Sequence, residues 1–290
     1  SSDVCSSDLA ENGDQDAKRL FDQLGFSYEM KEDGIKKIPD EMKQLLSDRI
    51  VPGFYSLVES RFEGTNAFIA RSGAKQVVDL PCGYTARGIK LAESGIRYFG
   101  FDLPAVINAM KPAVEELIGE NESICYRAVD ATNYASLREA LGDADGELLI
   151  TTEGMLMYFS QPELEEVFRN VRRLLLEFGG RWITTDSSLL EMQKNVLGVM
   201  IGSENFEAAS KMGMALAGSM AKSSKAENDF FNKDRVRQFV DEMGFELELI
   251  SVRDYVPEVL HSFDPLPDEL RAAARDAEST MDFWEMTPKE

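Results

Sequence analysis

Residues Gln76–Gly88, QVVDLPCGYTARG, decide how this chain is read. Val77 and Val78 are β-branched, Asp79 ends their run, and Pro81-Cys82-Gly83 continues neither a strand nor a helix. From Thr85 the apolar spacing turns helical, with Ile89, Ala92 and Ile96 three to four residues apart. The unit reads strand, tight turn, helix. Such a turn leaves N–H groups of the new helix unpaired above the strand's carboxyl end, which is the opening of a nucleotide-type site.

Working outward, the next apolar run, Ile96 to Phe101, ends at Asp102, nineteen residues after Gly83. A carboxylate at the tip of a second strand is placed to accept hydrogen bonds from both ribose hydroxyls. The competing reading makes Asp102 the N-cap of a helix opening at Pro104. The loop argues against a dinucleotide, because G-x-G-x-x-G is absent: Pro81 stands at the first glycine and Ala86 at the third. A ligand with adenosine and no phosphates fits better, and S-adenosylmethionine is the common one.

The chain of 290 residues has room for one sizeable core with an added cap, or for two small domains. Its 31 basic and 52 acidic residues give a net charge of −21, which disfavours nucleic acid and anionic membranes as partners. Cys5, Cys82 and Cys125 are odd in number and lack metal-ligand spacing, as in a reducing compartment. No apolar run approaches the roughly 18 residues of a membrane span, so a cytoplasmic location is expected.

Residues 1–15, opening on SSDVCSSDL, read as a disordered or non-native leader. Residues 16–72 read as a helical cap covering the mouth of the first turn: Ala17, Leu20, Phe21 and Leu24 share one face, Met42, Leu45 and Leu46 another, and Tyr55, Arg61 and Phe62 are near enough to reach the turn. Residues 73–290 then alternate strand with helix, which predicts a mostly parallel seven-stranded α/β sheet with helices on both faces. Further strands are predicted at Ser123–Val129, Leu148–Thr152, Trp182–Asp186, Phe245–Val252 and Met281–Thr287. Ser160 and Glu163 form a capping box before the stripe Leu164, Val167, Phe168, Val171, Leu174, Leu175 and Phe178. Residues 189–230 break the alternation with a Met-rich segment that reads either as an inserted lid over a substrate pocket or as core helices.

Ligands of such sheets bind beyond the carboxyl ends of the strands, and Asp79, Asp102, Asp130 and Glu153 end four successive strands. By spacing, Asp102 takes the ribose, Asp130 with the backbone of Ala131 the adenine amino group, and Glu153 the methionine α-ammonium. Arg61 or Arg87 answers the methionine carboxylate. Asp79 is expected to brace the turn through backbone N–H groups. The acids lie one per strand with no D-x-D-x-D loop, so no metal site is expected. The lone histidine, His261, is a doubtful base. Methylation of a phenol or alcohol generally wants a base, whereas a substrate carboxylate arrives ionised and needs only alignment. Carboxyl methylation is therefore expected, with Tyr158 either hydrogen-bonding that carboxylate or standing as a partly buried aromatic.

The segments VVDLPCGYTARGIKL, YFGFDLPAVI, VDATNY and LLITTEGMLMYF, in this order and at these gaps, resemble the leucine carboxyl methyltransferase family of class I S-adenosylmethionine enzymes. The resemblance covers about Arg61 to Ser188. It implies cofactor contacts at Arg61, Gly83, Asp102, Asp130 with Ala131, and Glu153, and a tyrosine beside the substrate at Tyr158. The family's loop usually reads G-x-G-x-D-x-R, from which Pro81 and Thr85 depart. The expected protein is an S-adenosylmethionine-dependent O-methyltransferase, releasing S-adenosylhomocysteine, that acts on a carboxylate of a small molecule or peptide end. The rivals are the same fold acting on a phenol or hydroxyl, a cofactor-binding protein without turnover, and a nicotinamide oxidoreductase.

Overall fold

Asp79, Asp102, Asp130 and Glu153 meet only if their strands lie side by side, and in the computed structural model they do. It describes residues 15–25, 51–202, 229–232, 234–256, 260–264, 266–278 and 280–290. Seven strands, β1 (Gln76–Asp79), β2 (Arg97–Asp102), β3 (Ile124–Ala128), β4 (Leu148–Thr152), β5 (Gly180–Thr184), β6 (Phe245–Ser251) and β7 (Asp282–Pro288), form one sheet. Their order is β3-β2-β1-β4-β5-β7-β6. β1 to β5 pair in parallel, whereas β7 runs antiparallel to both β5 and β6. The chain leaves β1 toward β3 and then crosses back to β4, so the strand order reverses between β1 and β4. Crevices at such a reversal are where open α/β sheets bind ligands.

The described helices are α1 (Gln15–Leu24), α2 (Val51–Ser72), α3 (Arg87–Glu93), α4 (Pro104–Ile118), α5 (Tyr134–Leu141), α6 (Gln161–Phe178), α7 (Asp186–Ile201), α8 (Val236–Glu242) and α9 (Asp268–Glu278). Strand residues feed two cores alternately, as the two-residue period requires. Val77, Leu149 and Ile183 pack with Phe68 and Phe283 on one face. Val78, Ile150 and Trp182 pack with Phe168 and Phe245 on the other. Phe168 is the hub of that second core, with ring centroids 4.7 Å from Trp182 and 4.9 Å from Phe239. It sits there because the Ser160–Glu163 capping box starts α6 in register and Gly179 stops it.

Gly88 explains how the loop manages without its third glycine. A Cβ there would lie 2.8 Å from the Tyr98 ring and 2.9 Å from the Tyr126 hydroxyl, so α3 lies against β2 and β3 only with no side chain at 88. The close helix–sheet approach is thus made two residues past Ala86.

Several boundaries differ from expectation. α3 begins at Arg87 and ends before Ser94, which leaves Ile96 beyond it. β5 pairs from Leu148↔Gly180 to Thr152↔Thr184, so Asp186 opens α7 instead of closing a strand. α1 does not cover the first turn. It lies along the far end of α4, where Gln23 Nε2 donates to Glu116 at 2.6 Å and Arg19 to the Leu117 carbonyl at 3.3 Å. The expected leader, the helical face at Met42, Leu45 and Leu46, and the segment with Met212, Met214 and Met220 lie outside the described residues. Within the proposed insertion, α7 buries Val196 and Met200. Among the described residues no helix is long and apolar enough to cross a membrane.

Candidate active site

The loop after β1 delivers Gly83 to the tip of β2, where its N–H donates to Asp102 Oδ2 at 2.8 Å. The other carboxylate oxygen accepts the Leu103 N–H at 2.7 Å. Leu103, not Asp102, is the N-cap of α4, with Pro104 behind it, so the capping reading of Asp102 does not hold. Each Asp102 oxygen keeps acceptor capacity for a further donor. Burial pushes its carboxyl above the usual aspartate range, against the pull of the Leu103 and Gly83 N–H groups. Beside it Leu103 is 65% exposed, an apolar face at the tip of β2.

Asp130 opens the turn after β3 and is exposed. Its Oδ1 accepts from the Thr132 N–H at 2.9 Å and the Thr132 hydroxyl at 2.6 Å, a local turn that does not use Oδ2. Ala131 is buried, its carbonyl held by Asn170 Nδ2 at 3.0 Å.

Arg87 and Asp79 take roles different from those expected. The Arg87 Nη1 donates to both Asp79 oxygens at 3.1 and 3.0 Å, Nη2 to Glu153 Oε1 at 2.7 Å, and Nε to Asn66 Oδ1 at 2.9 Å. Its guanidinium stacks 4.9 Å from the Phe62 ring centroid. A buried arginine bonded in this way to three protein partners braces the site. Asp79 likewise accepts no backbone N–H of the turn: its partners are Arg87, the Tyr98 hydroxyl at 2.9 Å and the Thr151 hydroxyl at 3.0 Å. Burial and the Asp79 charge push the Tyr98 hydroxyl far up, so it stays protonated and donates.

Glu153 is shared. Oε1 faces Arg87 and Oε2 lies 4.0 Å from Arg61 Nη2. Arg61 Nε is buried without a hydrogen-bond partner. Past the tip of β4 the chain enters a 3-10 turn, Leu156–Tyr158, that leaves Tyr158 46% exposed. His261 is 60% exposed and 3.6 Å from Asp264. Its backbone N–H, with that of Ser262, donates to the buried Glu59 at 2.9 Å, so it serves to dock its loop on α2. A cavity of about 690 Å³ opens elsewhere, at the amino ends of β2 and β3 between α4 and α5, away from these residues.

One residue of this constellation escapes the sequence reading. Asp186, buried just past the end of β5, accepts the N–H groups of Gly154, Met155 and Leu156 at 2.5, 3.0 and 2.9 Å. The signal is an acid two residues past a fifth strand, obscured when that strand is taken to include it.

The leucine carboxyl methyltransferase family model matches residues 13–172, more than half of the chain. The chain belongs to the leucine carboxyl methyltransferase family. This methyltransferase is therefore an S-adenosylmethionine-dependent enzyme with the class I sheet. No curated protein sequence matches it. Among solved structures, a DUF574 family protein from Streptomyces avermitilis shares 13% identity over 94% of this chain and 96% of that one, with a TM-score of 0.54, a likeness of fold alone. A magnesium protoporphyrin IX methyltransferase from Synechocystis with bound SAM aligns at 8% identity over 99% and 97% of the two chains, with a TM-score of 0.46.

Proposed function

We propose that this methyltransferase transfers a methyl group from S-adenosylmethionine to a carboxylate oxygen of a small molecule or peptide end. The observation that carries the cofactor placement is the pairing of Glu153 and Arg61 at one rim, 4.0 Å apart. A carboxylate beside a guanidinium with an unpartnered Nε suits the two ends of an amino acid. Glu153 would take the ammonium and Arg61 the carboxylate. Asp102 would take the ribose hydroxyls through its remaining lone pairs, with Gly83 lining the loop, and Asp130 with Ala131 the adenine edge over exposed Leu103.

Bound there, the cofactor supplies an electrophilic methyl on a sulfonium. The chain's own part is to orient. Tyr158, exposed five residues past Glu153, would donate a hydrogen bond to the acceptor carboxylate and align one oxygen with that methyl. The carboxylate reading is supported by the state of the buried hydroxyls and thiol nearby. Tyr98, Tyr126 and the Cys82 thiol are held protonated by burial, so none of them offers a base at neutral pH. An acceptor that arrives ionised needs none.

The test is turnover. The enzyme is incubated with S-adenosylmethionine and matched carboxylic acids, phenols and alcohols, and S-adenosylhomocysteine is quantified. Formation with the acids, together with a base-labile methyl ester, is expected. Turnover confined to phenols or alcohols would overturn the carboxylate assignment.

A further inference from the structure

We infer that Asp186 is a positioning residue for methyl transfer, a buried carboxylate that sets Glu153 and Tyr158 relative to one another without touching either ligand. The inference rests on the reading of Glu153 and Tyr158 given above. After β4 the chain must turn sharply between these two residues. It does so through Gly154, whose φ of +72° aims three successive backbone N–H groups the same way. Successive N–H groups arranged in this manner form an anion-binding concavity. Here the chain's own carboxylate fills it: Oδ1 receives Gly154 and Oδ2 receives both Met155 and Leu156.

Asp186 is itself pinned. It has no exposed surface, and its N–H donates to Thr184 Oγ1 at 3.0 Å. The attraction of Arg61 partly offsets its charge. The same guanidinium faces Glu153, and Nη2 would lie 3.4 Å from a Cβ on Gly154. One buried anion thus holds the backbone of Gly154, Met155 and Leu156, between Glu153 and Tyr158, and attracts the cation that faces Glu153. Proximity effects are steep, so a shift of about 1 Å in such a segment can cost on the order of a hundredfold in rate.

Asp186→Asn is nearly isosteric but turns an N–H₂ group toward at least one of the three donors. The experiment is a double-mutant cycle on S-adenosylhomocysteine affinity by calorimetry, using Asp186→Asn, Glu153→Gln and the pair, with turnover measured alongside. Each single variant is expected to weaken affinity about tenfold, and the pair little more than the weaker-binding single, because Asp186 acts through Glu153. Turnover of Asp186→Asn with saturating cofactor is also expected to fall, through Tyr158. Val240→Ala, in the distant core of α8, serves as a control of similar stability loss and is expected to leave affinity unchanged. If Asp186→Asn fails to fold, Thr184→Val, which removes only the acceptor of the Asp186 N–H, is expected to shift affinity the same way by a smaller factor. Additive losses in the cycle, or unchanged affinity in Asp186→Asn or Thr184→Val, would overturn the positioning role while leaving Glu153 in place. Unchanged affinity in Glu153→Gln would instead overturn the ammonium assignment, and the positioning role with it.

Discussion

The strand tips of this sheet divide into two halves with different physics. At β1, β4 and β5 the acids Asp79 and Asp186 are buried, Glu153 is nearly so, and their partners are Arg87, hydroxyls and backbone amides. At β2 and β3 no cation is among the partners within the described residues: buried Asp102 accepts only the Gly83 and Leu103 N–H groups and exposed Asp130 only Thr132, beside exposed Leu103. Acids at equivalent topological positions are thus used in opposite ways. The inner half commits its charges to geometry, since a buried ion tolerates no loss of partner. The outer half keeps lone pairs free for a ligand, with little loss of stability.

Arg87→Leu should separate the halves most sharply. Removing the guanidinium strands Asp79 and half-strands Glu153, so unfolding in urea should show a loss of about 3–5 kcal/mol. A loss under about 1 kcal/mol would mean that the inner cluster is not an energetic unit.

Acidification should move stability and affinity in opposite directions. Burial raises the carboxyls of Asp102 and Asp186, so between the ordinary value of 3.8 and the raised values the folded chain holds protons that the unfolded chain has released. The folded state binds more protons there, and stability rises as pH falls through that window. Relief of the −21 net charge acts in the same sense. The lowered carboxyls of Asp143, Glu163 and Glu177 oppose it, but all three are on the surface and contribute little. Protonating Asp102 removes an acceptor meant for the ribose, so affinity for S-adenosylhomocysteine should decline over the same range. Tm and calorimetry followed as the pH is lowered from neutrality toward the ordinary carboxylate range would check this, and a parallel fall of both would break the distinction.

Tyr158→Phe should have the smallest effect on the fold. An exposed hydroxyl should cost no more than about 0.5 kcal/mol, with cofactor affinity unchanged. Turnover of a carboxylate acceptor should still drop by about tenfold, as for a lost hydrogen bond to a charged group. Equal turnover in the two proteins would remove Tyr158 from the acceptor site.

The line between legible and hidden features of the sequence runs along the same division. Val77-Val78, the run Leu148–Thr152 and the Ser160–Glu163 cap carry local signals of strand and helix, and the sheet order is consistent with their alternation. Asp102 and Asp130 are legible because a strand tip is a position on the chain. The inner cluster is not, since Arg87 meets Asn66 and Glu153 across 21 and 66 residues, and only packing selects those partners. Asp186 is hidden by a two-residue error at the end of β5, where pairing with β4 stops at Thr184. A motif counts positions and so looks for the third glycine at Ala86, whereas the clash that demands it depends on the rings of Tyr98 and Tyr126.

The central claim is that the outer acids face an adenosyl group, and Asp102 tests it most directly. Calorimetric titration of the native protein with S-adenosylhomocysteine should show one site per chain, and Asp102→Ala should weaken it by at least about tenfold, near 1.4 kcal/mol. Equal affinity in the two proteins would contradict the account.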